Sequence, residues 1–239
     1  MATVFLLRHG LTKLTGPVLA GRAPGTTLDD RGQAQAAAAA ERLQVLPLAC
    51  LVTSPLERCA QTAKVVRAAQ RAAGRQPELR RERRLLEADY GDWTLQQIST
   101  LAKDPLWRVV QSNPSAVTFP NGESMAGMAQ RAVGAVRELD ARIEAEHGPD
   151  ALWLACSHGD VIKAILADAL GMHLDLFQRI VVDPASISAI RYSAGRPFVL
   201  FSNSSSGELG QFVPKPARGR RKRAAAEATV GGGAGGGQV

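Results

Sequence analysis

Thr3-Val4-Phe5-Leu6-Leu7 runs straight into Arg8-His9-Gly10, and Ala151-Leu152-Trp153-Leu154-Ala155-Cys156 runs straight into Ser157-His158-Gly159. Each is a short apolar run with the length of a buried strand, ending on polar residues and a glycine. Leu48-Ala49-Cys50-Leu51-Val52 repeats the pattern and stops at Thr53-Ser54-Pro55. Between these runs the periodicity turns helical. Helices are expected from Arg31 to about Leu46 behind an Asp30 cap, and from Leu56 to about Ala73 with Ser54 or Thr53 as cap. Two more are expected from Ser124 to about Glu146, closed by His147-Gly148-Pro149, and over Val161–Leu170. A third short strand is expected near Arg84–Glu87, and Ser186–Tyr192 with Pro197–Phe201 as a terminal pair around Ala194-Gly195. Residues 94–121, broken by Pro105, Pro114 and Pro120, read as short helices and loop. Alternating strands and helices predict an α/β fold, a three-layer α/β/α sandwich with a largely parallel central sheet. Sites in such sheets lie beyond the carboxyl ends of the strands, which is where His9 and His158 fall.

The bulk properties fit this reading. The chain has 239 residues, 45% hydrophobic and 21% charged, enough to bury a core without staples. Cys50, Cys59 and Cys156 form no paired framework, and with no signal-like leader they point to a reducing, cytoplasmic setting. No apolar run approaches the roughly 20 residues of a membrane span, so no membrane partner is expected. The net charge of +7 is mostly local: residues 214–239 hold six cations against Glu227 alone and so carry +5 of it. That basic segment runs out in Gly231–Gly237, broken only by Ala234, and is expected to be a disordered tail behind a catalytic domain over 1–213. It has no aromatic interleaving, which argues against nucleic acid as a partner. A homodimer is left open.

Three segments carry chemistry. In Arg8-His9-Gly10, an imidazole can attack phosphorus directly while the planar arginine fork holds non-bridging oxygens, and Gly10 would let the backbone come close. In Thr53-Ser54-Pro55-Leu56-Glu57-Arg58-Cys59-Ala60-Gln61-Thr62, a strand gives way to a helix whose first turn presents Arg58, at an end that favours anions. In Ser157-His158-Gly159-Asp160, His158 stands at a second strand end and could donate to a phosphoryl group from the side opposite Arg58. His147 also precedes a glycine, but at the end of a helix, where a C-cap accounts for it. His173 reads as a surface residue. Neither the histidine spacing nor the cysteines and carboxylates form a ligand set, so neither a metal nor another cofactor is expected. Gly21–Thr27 lacks the lysine and glycine spacing of a nucleotide loop.

Taken together and in this order, the segments resemble the histidine phosphatase superfamily, also called phosphoglycerate mutase-like. The resemblance spans roughly residues 3–202. It implies that His9 becomes phosphorylated and that Arg8, Arg58 and His158 complete the phosphate pocket. It implies that Glu87, in Glu87-Ala88-Asp89-Tyr90-Gly91, is the proton donor, with Asp89 the alternative. Otherwise Glu87 would be a strand-end carboxylate paired with Arg83 or Arg84. Phe119-Pro120-Asn121-Gly122-Glu123-Ser124 resembles another family segment, where helix capping is the simplest role. Thr15 stands where asparagine is common, and Cys59 where alanine is.

Within such a family the fork is hydrolysis against transfer. Residues 94–121 are short, and Lys103 and Arg108 are their only cations, too few for a lid that handles a bisphosphate. The expected function is a metal-independent phosphomonoesterase acting on a small phosphorylated metabolite. A phosphomutase is the alternative, and a noncatalytic phosphate-binding module the third reading.

Overall fold

Strand β1 (Thr3–Arg8) is buried along its apolar length and lies in the middle of the sheet. In the computed structural model, which describes residues 2–193 and 196–214, it pairs in parallel with β4 (Leu152–Ser157), setting Arg8 beside Ser157. On its other edge it runs antiparallel to β5 (Ile187–Ser193), which in turn pairs with β6 (Arg196–Ser204). Strand β2 (Leu48–Thr53) is parallel to β4, with Thr53 opposite Cys156, and β3 (Glu78–Arg81) is parallel to β2. The order is β3-β2-β4-β1-β5-β6, a largely parallel sheet as expected. The carboxyl ends of β2, β4 and β1 lie side by side, so Ser54, His158 and His9 leave the sheet together.

The alternation of strand side chains builds the layers. Val4 and Leu6 of β1 and Trp153 of β4 pack with Met128, Val136, Ile162 and Ile165, from helices α5 (Met125–His147) and α6 (Gly159–Ala169). Phe5, Leu7 and Leu154 face the other way, onto Leu43 of α1 (Asp30–Leu43) and Ala63 and Val66 of α2 (Glu57–Ala72). The short helices α3 (Ile98–Leu101) and α4 (Pro105–Ser112) lie within the proline-broken segment. No helix among the described residues is long and apolar enough to cross a membrane.

Several local expectations need correction. The third strand is Glu78–Arg81, while Arg83–Leu85 forms a 3-10 turn whose start is capped by Glu82. An edge strand can point charged side chains at solvent, so β3 carries no apolar run to betray it. The apolar signal at Leu85 instead comes from a side chain buried in the core. The cap of α1 is Asp29, whose Oδ1 accepts from the Gly32 amide at 2.7 Å, and the helix ends at Leu43, short of Leu46. Neither Thr53 nor Ser54 caps α2; Leu56 holds that position without a side-chain bond. The turn at Ala194-Gly195 and the tail over 215–239 lie outside the described residues.

Candidate active site

His9, Arg58 and His158 meet where β1 and β4 end and α2 begins. His9 Nδ1 lies 2.7 Å from the Gly10 carbonyl oxygen, and Arg58 Nε lies 3.1 Å from His9 Nε2. A carbonyl can only accept and a guanidinium only donate, so the proton is on Nδ1 and the lone pair on Nε2. The same argument gives His158 the opposite tautomer: Nδ1 accepts from Arg58 Nη2 at 3.1 Å, and Nε2 donates to Ser54 Oγ at 2.8 Å. Arg58 Nη2 also donates to the Gly21 carbonyl at 2.8 Å. Arg8 is anchored through Nη1 to the Val182 carbonyl at 2.6 Å. Arg8 Nε and Arg58 Nη1 are buried donors with no partner in the protein, and both residues line a cavity of about 420 Å³. Donors kept dry and unpaired are costly unless an anion takes them.

The electrostatics follow from this burial. Removal from water, then the Arg58 guanidinium, holds the His9 imidazole well below the usual histidine range; the Gly10 bond opposes and Arg8 adds to it. Burial, then Arg58 and His9, does the same to His158. Both rings are therefore neutral at pH 7, and His9 presents a lone pair to a site lined by two arginines. His158 is fully buried beneath Arg58 and is absent from the cavity wall. Both of its nitrogens are engaged by protein, so it does not face Arg58 across the pocket as the sequence reading expected.

The surrounding motif residues pin the loop over the site. Gln61 Oε1 accepts from the Leu28 amide at 2.8 Å, and Thr62 Oγ1 accepts from the Gly10 amide at 3.3 Å. Gly10 serves packing: a Cβ there would lie 2.4 Å from the Gly32 carbonyl oxygen, so its small size brings the loop against α1. Thr12 and Thr15 share a hydroxyl contact at 3.0 Å, and both line the cavity. Cys59 is packing, with Sγ 3.4 Å from His158 Nε2, and Cys156 is a fully buried thiol.

Glu87 also lines the cavity and is 9% exposed. Burial, then the charge of Asp160, pushes its carboxyl up to about 7, against the Ala88 amide and the two arginines. It is thus poised to hold a proton near neutrality. It pairs with neither Arg83 nor Arg84; Arg84 bonds Glu82 and Glu138 instead. Asp89 turns away to Arg22 at 3.2 Å and is absent from the cavity wall. Asp160, which the sequence reading passed over beside His158, accepts a 2.8 Å bond from Tyr90 Oη. Ser124 does cap α5, accepting from the Gly127 amide at 3.0 Å. Glu123 does something else: its Oε1 accepts from Arg22, Arg131 and the Asp89 amide at 2.9, 2.6 and 2.8 Å.

The model of the histidine phosphatase superfamily (branch 1) matches residues 4–205. The chain belongs to the histidine phosphatase superfamily. Curated relatives include phosphoserine phosphatase 1 of Hydrogenobacter thermophilus, 29% identical, the match covering 89% of this chain and 96% of that one. They also include a probable phosphoglycerate mutase of Cronobacter sakazakii, 28% identical over 80% and 86%. Among solved structures, a mycobacterial glucosyl-3-phosphoglycerate phosphatase in complex with VO3 superposes with a TM-score of 0.73 at 27% identity, covering 84% and 98%. In this superfamily member Arg8, His9, Arg58 and Glu87 line one cavity, with His158 bonded to Arg58. Among the described residues no group of three or more histidine, cysteine or carboxylate side chains is placed to hold a metal ion.

Arg22, Arg131, Asp160, Tyr90 and Lys163 were not foreseen as part of the site or its support. They come from four separate stretches, Asp160 and Lys163 sharing α6, and gather only through the fold. Asp160 and Tyr90 were within reach, since both stand inside motif segments already singled out.

Proposed function

We propose that this chain is a phosphomonoesterase that works through a phosphohistidine on His9. The observation that carries the reading is the His9 imidazole, neutral, with its Nδ1 proton fixed on Gly10 and its Nε2 lone pair turned to Arg58 in a cavity lined by a second arginine. An incoming phosphoryl group takes the donors of Arg8 and Arg58, and Nε2 attacks phosphorus. The P–O bond to the leaving group breaks as charge spreads over oxygens that the guanidiniums stabilise. Glu87 gives its proton to the departing oxygen and becomes a carboxylate. A water then attacks phosphorus, Glu87 takes its proton, the P–N bond breaks, and neutral His9 returns with inorganic phosphate. His158, in this reading, holds Arg58 in place from beneath.

The cover over the cavity favours hydrolysis over transfer. From residues 94–121 only Ile98 lines it, and neither Lys103 nor Arg108 does. Relatives carry both phosphatase and mutase names, so the experiment must separate the two. Acid quenching during turnover of a labelled phosphate ester should trap an acid-labile, base-stable phosphoenzyme in the parent protein and none in His9→Ala. Wild-type-like phosphate release by His9→Ala would overturn the mechanism. With a monophosphoglycerate, isomer exchange outrunning phosphate release a hundredfold would make the chain a mutase.

A further inference from the structure

The lining of the cavity carries both signs of charge. Arg8 and Arg58 supply its cations at the phosphoryl end, and their unpaired donors face nothing else in the protein. Asp160, Lys163, Gln178 and Asp183 also line the cavity. Lys163 is already committed: Nζ lies 3.0 Å from Gln178 Oε1 and 3.6 Å from Asp160 Oδ1, 5.5 Å above the Phe177 ring. The second oxygen of Asp160 is held by Tyr90. Two carboxylates, Asp160 and Asp183, thus share the lining with one lysine that Gln178 and Asp160 already engage.

We propose that the leaving group is a neutral polyol, carrying hydroxyls where a glycerate would carry its carboxylate. This rests on the phosphomonoesterase reading. Each hydroxyl both donates and accepts, so it can donate to Asp160 or Asp183 and accept from Lys163 without displacing Gln178. A carboxylate can only accept, and here it would meet like charge beside a cation already neutralised. Val18, Ile98 and Val181, also on the wall, offer apolar contact to the carbon faces of a polyol. The cavity falls in the usual range of about 300–1,000 Å³ for small-molecule sites and leaves room beyond a phosphate.

A matched pair tests this. Glycerol 3-phosphate and 3-phosphoglycerate differ only in a terminal hydroxymethyl against a carboxylate, and both present a primary alcohol as leaving group. Each is measured as a competitor of p-nitrophenyl phosphate hydrolysis, so that the comparison does not require turnover. Glycerol 3-phosphate should inhibit at least about tenfold more tightly. Asp160→Asn should narrow that ratio at least about threefold, whatever happens to the absolute rate of p-nitrophenyl phosphate hydrolysis. Equal or tighter inhibition by 3-phosphoglycerate, or a ratio unmoved in Asp160→Asn, overturns the assignment. Failure to hydrolyse p-nitrophenyl phosphate and to form a phosphoenzyme would instead overturn the phosphatase reading beneath it.

Discussion

Arg22 Nε donates to the carbonyl oxygen of Glu87 at 2.8 Å, across 65 residues of sequence. Arg131 Nη2 reaches the same oxygen at 3.1 Å, and its Nη1 binds the carbonyls of Arg84 and Leu86 at 2.6 and 2.8 Å. Glu123 ties the two guanidiniums together. The 3-10 turn and the irregular segment after it, up to Glu87, are thereby fixed by charge-assisted bonds, which are stronger than neutral ones.

If that clamp positions Glu87 for proton donation, Arg131→Met should lower kcat on alkyl phosphates by on the order of 10–100-fold, as small misplacements of a reacting group do. Aryl phosphates, whose leaving groups need no proton, should lose far less. The alkyl-to-aryl ratio of kcat, measured with circular dichroism as a check on folding, decides it; a uniform loss on both substrates would point to simple structural damage.

Glu87→Gln should slow alkyl phosphate turnover by about 10²–10⁴-fold. In the parent protein, activity should decline as pH rises through about 7, where Glu87 gives up its proton, while His9 stays neutral to well below the usual histidine range. The same shift predicts stability. A carboxyl whose folded pKa is raised favours the fold while protonated, and that contribution is lost as pH climbs from the unfolded value to about 7. The Tm of Glu87→Gln should therefore exceed that of the parent by more at pH 8 than at pH 5.

Asp140 tests the same linkage far from the cavity. It is 2% exposed, accepts from Trp153 Nε1 at 2.7 Å, and burial pushes its carboxyl up to about 6. Asparagine keeps the acceptor without the charge. Asp140→Asn should match the parent in thermal unfolding near pH 4 and surpass it at pH 8.

Gly10→Ala should destabilise the protein by about 1–3 kcal/mol, the usual cost of overpacking, because the new methyl meets main chain and not a side chain that can move. Denaturant titration measures it. Gly134→Ala, with nothing within 4 Å of its added methyl, is the control and should be neutral or stabilising.

The residues that line the cavity were more legible in the sequence than those that support them. Buried parallel strands must be apolar along their length, so β1, β2 and β4 announce themselves, and the polar residues that end them mark one edge of the sheet. The edge strand Glu78–Arg81 has no such obligation and was missed. Arg8, His9, Arg58 and Glu87 stand in short motifs, and all four line the cavity. Arg22 and Arg131 look like any surface arginines, since binding a carbonyl oxygen leaves no pattern in sequence. The setting of His158 depends on Ser54 and Arg58 approaching from another strand and helix, which no local spacing reveals.

The place of β1 between β4 and β5 has a kinetic consequence. Its partners come more than a hundred residues later: Thr3 pairs with Leu152 on one side and Arg191 on the other. Contacts of such long sequence separation slow folding, because the connecting chain must be ordered before they form. As the chain emerges from the ribosome, the segment bearing Arg8 and His9 is made before β4 and β5 and waits for its place in the sheet until they are synthesised. Until then an apolar strand has both edges open, which exposes the nascent protein to self-association. Phosphate-binding competence should therefore appear late in refolding, after the α1–α2 side of the sheet has begun to consolidate.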